Sequence, residues 1–283
     1  MRIKIVDGNI LTDAIAILAV SDFIESICSH LDFSSDNIDE VVFADEVNYG
    51  KEIKRIDPEE DYTNNSIGRG YGKALFLSQK KKSSLVINSQ IFKCIVLMNN
   101  NLIDAFETQF IKFIISHEIG HCIINQERGA SIKSVPILFY NPNEIAQNCF
   151  SIIIDEFLTN RIIKNIVNCK CLYDNLQSGF YETLLKLRNG LITFVDSYFY
   201  TKIWELFKYF MDNAVLLLDY DVSEYCYDLD RLQLPFDYVA VINEFKKFDA
   251  KLIAEEELLM FLNNIVSCLH KKYYVKNTTY HII

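Results

Sequence analysis

Long apolar runs are missing from this chain. No stretch of about 18 apolar residues passes without a charge, so no membrane-spanning helix and no membrane partner are predicted. The early apolar stretch 15–20 is short, follows Asp13, and has no cleavage-site pattern after it. It is not a secretory signal, and cytoplasmic residence with reduced thiols is the expectation. Positive charge is also scarce. Against 38 Asp and Glu stand 28 Lys and Arg, a net charge of −10. Binding to phosphate backbones needs clustered cations, so no nucleic-acid partner is expected. The one basic run, Lys80-Lys81-Lys82, is too short to serve and reads as a solvated turn. Cysteine pairs at metal-ligand spacing are lacking too. Of eight cysteines only Cys169 and Cys171 are close, with no second pair nearby, and Cys122 and Cys149 fall in apolar helical patterns as small hydrophobes. No repeat is evident. Gly68, Gly70 and Gly72 are not a dinucleotide fingerprint, because no strand feeds them and no helix follows.

What is present is a core-forming chain. Half of its 283 residues are hydrophobic and 23% are charged, which indicates one or two folded domains rather than disorder. Residues 2–6 alternate and are rich in β-branched side chains, so they read as a strand. Thr12 is placed to cap a helix running to about Leu31, and 41–43 forms a short strand. Residues 46–72 are polar and read as loop. Strands at 74–77 and 84–88 make a hairpin around the lysine turn, and 91–98 is apolar and ambiguous. A long helix is predicted over roughly 103–126, stopped near Gly129. Another opens at Asn141-Pro142, with Asn as cap and Pro at the first helical position, and runs to about Asn168. From Tyr173 the pattern is helical, and the acidic stretch 219–230 reads as a solvated loop.

Histidine is rare, with five in all, yet two stand four apart in His117-Glu118-Ile119-Gly120-His121. On a helix that spacing places both imidazoles on one side, one turn apart, where they can share a zinc ion while Glu118 faces the metal-bound water. Stepped at about 100° per residue, Phe106, Phe110, Phe113, Ile114 and Ile124 form an apolar stripe, with His117 and His121 in its middle. Both histidines are thus expected to face the interior. Gly120 costs about 1 kcal/mol relative to alanine inside a helix and is read as room for a neighbouring element.

A hydrolytic zinc takes a third protein ligand. The extended histidine pattern is absent, since Ile124 and Glu127 occupy its places. On the helix after Pro142, Ile145, Cys149, Ile152, Ile153, Ile163 and Val167 define an apolar face, and Glu156 and Asn160 fall near its middle. Glu144 and Asp155 fall on the opposite side with Asn148, Ser151 and Thr159. A carboxylate on a buried face is costly unless it meets a cation. Glu156 is therefore the expected third ligand, with Glu144 and Asp155 as alternatives, and Asn160 the expected hydrogen-bond partner of a ligand.

These residues resemble the gluzincin class of zinc metallopeptidases, with HExxH on one helix and a glutamate ligand on a later one, followed four residues on by Asp or Asn. The matching positions are His117, Glu118, His121, Glu156 and Asn160, within about 103–168. The chain is also similar to small intracellular metallopeptidases of the ImmA/IrrE kind, to whose Glu-x-x-Ala-Asn run Glu144-Ile-Ala-Gln-Asn148 could be aligned instead, with Gln147 in place of the small residue. The resemblance implies zinc-dependent peptide-bond hydrolysis of a peptide or protein substrate by a metal-activated water, with Glu118 as general base. It implies an intracellular endopeptidase of narrow specificity. The alternative is a non-catalytic zinc-binding regulatory protein on the same scaffold. The expected fold is α+β: a small N-terminal antiparallel sheet with a zincin-like pair of metal-binding helices in 1–170, then a mainly helical region in 171–283.

Overall fold

The computed structural model describes residues 1–10, 13–60, 71–129, 155–156 and 158–167. The chain divides into two compact units, one of 1–134 with 158–172, the other of 135–157 with 173–283. The described part of the first unit is α+β. It runs β1 (Arg2–Val6), α1 (Ala14–His30), a 3-10 turn (Ser35–Asn37), β2 (Ile38–Ala44), α2 (Glu46–Ile56), β3 (Gly72–Leu77), β4 (Lys82–Asn88), α3 (Ser89–Asn99) and α4 (Ala105–Arg128).

The four strands form one sheet in the order β1-β2-β4-β3. It is mixed rather than antiparallel, which corrects the sequence expectation. β1 pairs parallel with β2, and β2 parallel with β4; only the β3–β4 hairpin is antiparallel. The reason is connectivity. α1 carries the chain back between β1 and β2, and such a crossover leaves consecutive strands parallel. β2 behaves as a strand covered on both faces. Val41 and Phe43 enter one core with α1, α3 and α4, while Val42 and Ala44 enter another with Tyr49 and Ile53 of α2. Phe43 meets Phe92 of α3 edge-on, with ring centroids 5.4 Å apart.

The predicted loop at 46–72 holds a helix instead. Asp45 caps α2 by accepting the Asn48 N–H at 2.9 Å, and Tyr49 and Ile53 alone supply its fully apolar buried row. So few apolar positions among charged ones conceal the helical period. Asp13 caps α1, accepting from the Ala16 N–H. The ambiguous 91–98 stretch belongs to α3, capped by Asn88.

α4 starts at Asp104, whose carboxylate accepts the Glu107 N–H at 2.7 Å, and ends at Gly129, whose φ of 71° is the left-handed conformation that glycine adopts at low cost. Its deepest row is Ile111, Ile115, Ile119 and Cys122. Burial pushes the Cys122 thiol pKa far up, and that of Cys28 in the same core to about 12, so both serve as apolar filling. Among the described residues no helix is long and apolar enough to cross a membrane. The expected helices after residue 168 lie outside the described residues, as do Glu144, Cys169, Cys171 and the acidic stretch.

Candidate metal centre

His117 and His121 both project from α4, one turn apart. They do not sit in the deepest part of the core, as the sequence stripe suggested. That row belongs to the isoleucines; the histidines are half-buried, on the side of α4 that meets residues 158–163, which are helical. Gly120 lets the two helical segments approach. A Cβ at this position would stand 2.9 Å from Thr159 Cγ2 and 3.3 Å from the Thr159 carbonyl oxygen. The glycine between the ligand positions is thus a packing requirement.

The close approach ties each imidazole by its δ nitrogen. His117 Nδ1 stands 2.9 Å from Asn160 Oδ1. That oxygen can only accept, so Nδ1 carries the proton and Nε2 presents its lone pair. His121 Nδ1 stands 3.1 Å from Thr159 Oγ1. A hydroxyl can accept or donate, so His121 has two tautomers open to it. The two ε nitrogens face each other at 3.1 Å, with the rings nearly perpendicular at 88°. When the Thr159 hydroxyl donates, His121 Nε2–H can bridge to His117. When it accepts, two lone pairs converge, a repulsive arrangement that a cation between them turns into an attractive one.

The distances suit zinc. Bonds of about 2.0–2.1 Å at a tetrahedral angle put two ligand nitrogens roughly 3.3–3.4 Å apart. One ligand atom from each of His117, His121 and Glu156 lies within 4.8 Å of the others, so the three together could hold a metal ion. Two imidazoles and a carboxylate form a donor set that fits zinc. Glu156 precedes Asn160 by four positions in the sequence. Asp155, its neighbour, is described and does not join this group.

Glu118, next to His117 on α4, is 7% exposed. Its side chain lies against the head of β3, where a Cβ on Gly72 would come within 2.8 Å of the Glu118 carboxyl carbon. The α4 surface continues as an aromatic row. Phe113 lies 5.4 Å from the His117 ring, Phe106 stacks on Phe110, and Tyr71 meets Phe110 edge-on.

The sequence reading misses the roles of two residues. Thr159 was assigned to the polar face opposite Glu156, yet it is fully buried and meets His121. A hydroxyl can occupy a buried position when it finds a hydrogen-bonding partner there, which a projection by hydrophobicity does not register. The signal that could have found it is chemical: a second ligand histidine needs a second δ-nitrogen partner. Gly72 carried no signal, since its role depends on a contact 46 positions away. Set against family models, curated proteins and solved structures, the chain has no match.

Proposed function

We propose that the chain is a zinc-dependent peptidase of the gluzincin type. The observation that carries this reading is the pair of imidazoles joined at 3.1 Å through their ε nitrogens, each backed at its δ nitrogen by a polar side chain. Paired core histidines need no such arrangement; metal ligands commonly have it, because the outer partner fixes tautomer and ring orientation. Glu156 supplies the carboxylate that completes three protein ligands.

A bound zinc would acidify a water molecule and polarise the carbonyl to be attacked. The rest is the work of the chain. His117, His121 and Glu156 hold the ion. Asn160 keeps the His117 ring in one tautomer, and Thr159 follows either tautomer of His121. Glu118, not a ligand, takes the proton from the attacking water on a carboxylate oxygen and delivers it to the leaving amine nitrogen. A peptide is the favoured substrate class because β3 lies beside α4 and is an edge of the described sheet. An extended substrate would find main-chain partners along such an edge.

Two measurements test the reading. Metal analysis of the purified chain should return about one zinc per molecule. Glu118→Gln should keep that zinc and lose metal-dependent cleavage of a peptide library by at least about 100-fold. Zinc without cleavage in the native chain would favour the regulatory alternative, and a metal-free native chain would end both.

A further inference from the structure

Gly72 opens β3 with an ordinary negative φ, so backbone conformation does not explain it. In a strand, glycine is a liability: it loses conformational freedom and packs nothing. Space explains it instead. A Cβ built at Gly72 would stand 2.5 Å from Glu118 Cγ, 2.8 Å from Cδ and 2.8 Å from Oε1. The strand has little freedom to retreat. Gly72 is in register with Ile87 of β4, and the Tyr71 carbonyl oxygen accepts the Asn88 N–H at 2.8 Å. On the other side, α4 is held by its isoleucine row in the core. The Glu118 side chain is therefore what a Cβ at Gly72 would press against.

We propose that Gly72 is a positioning residue for Glu118, its missing side chain being the recess that receives the carboxyl group. The edge strand, and not only the helix, then decides where the base stands. The proposal rests on the reading of Glu118 as the proton carrier, but the recess itself can be tested without it.

Four proteins decide the matter: the native chain, Gly72→Ala, Glu118→Ala and the double variant. Gly72→Ala should lower the thermal midpoint by about 2–4 °C in the native background and leave it unchanged or slightly raised in Glu118→Ala, where the colliding atoms are gone. Equal losses in both backgrounds would overturn the proposal. Should Gly72→Ala not fold alone, the double variant must still do so; its failure would also overturn it. The second readout is the visible absorption of the cobalt(II)-loaded proteins, which responds to groups around the metal. Gly72→Ala should shift the spectrum in the direction that Glu118→Ala does, and add nothing to Glu118→Ala. A native spectrum in Gly72→Ala would show that the carboxylate has not moved and would refute the positioning role. If the native chain takes up no cobalt, the metal reading fails, while the four midpoints still read the recess.

Discussion

Asn160 and His117 are joined at 2.9 Å across 43 positions of chain, carbonyl oxygen to δ nitrogen. Asn160 is 5% exposed, so water does not readily replace it. Removing its amide takes this acceptor away from the half-buried His117 Nδ1–H, so the ring can turn or change tautomer. Asn160→Ala is therefore expected to weaken zinc binding by about 10- to 100-fold, measured by competition with a chromophoric chelator. Asn160→Asp keeps an acceptor in place and should recover most of that loss. Equal weakening by both variants would mean that packing, not the hydrogen bond, is what Asn160 provides.

Gly120 presents a contest between two effects of known sign. Alanine gains about 1 kcal/mol in helix propensity. Against it, the new methyl would press Thr159 Cγ2 at 2.9 Å and the Thr159 backbone oxygen at 3.3 Å. Overpacking of this kind costs about 1–3 kcal/mol, and a backbone atom cannot rotate away. Gly120→Ala should thus destabilise by about 1 kcal/mol and loosen zinc, since Thr159 and Asn160 are both carried by the segment pushed back. Adding Thr159→Ser removes Cγ2 and keeps the hydroxyl. Denaturant titration should show part of the stability restored, and an unchanged deficit would locate the strain elsewhere.

The histidine pair was legible because its information is local. Two rare residues one turn apart, with Glu118 between them, specify a face of α4 whatever surrounds it. Glu156 and Asn160 were legible for a related reason: polar groups in an apolar stripe need a partner. The parallel pairing of β1 with β2 was less accessible, because strand direction depends on where α1 lies. α2 was hidden by its charged residues, which are not idle surface. Glu52 and Arg55 lie on the side of α2 that meets β1 and β2 through ion pairs, so a hydrophobic period underestimates the helix. Gly72 and Thr159 take their roles from contacts that no sequence window spans.

Those ion pairs predict a pH dependence. Glu52 Oε2 receives Lys4 Nζ at 2.8 Å and Arg55 Nε at 2.7 Å, while Arg55 Nη2 reaches Glu40 at 2.9 Å. Burial alone would raise the Glu52 pKa; the hydrogen bonds from Lys4 and Arg55 and their charges outweigh it, and hold the carboxyl below its ordinary 4.5. A depressed folded pKa means that the unfolded chain binds the proton more tightly. The stabilisation is therefore complete above the ordinary value and is lost as pH falls through the lower folded one. Its size is limited, because the Lys4 and Arg55 side chains are 41% and 42% exposed and solvent screens them. Glu52→Gln should cost about 1 kcal/mol at neutral pH, read from urea unfolding, with the gap to the native chain narrowing below about pH 4. Added salt should narrow it too at neutral pH. A gap that stays constant from neutral pH to about pH 3 would assign the loss to shape rather than charge, and β1 would then be tied to α2 by packing alone.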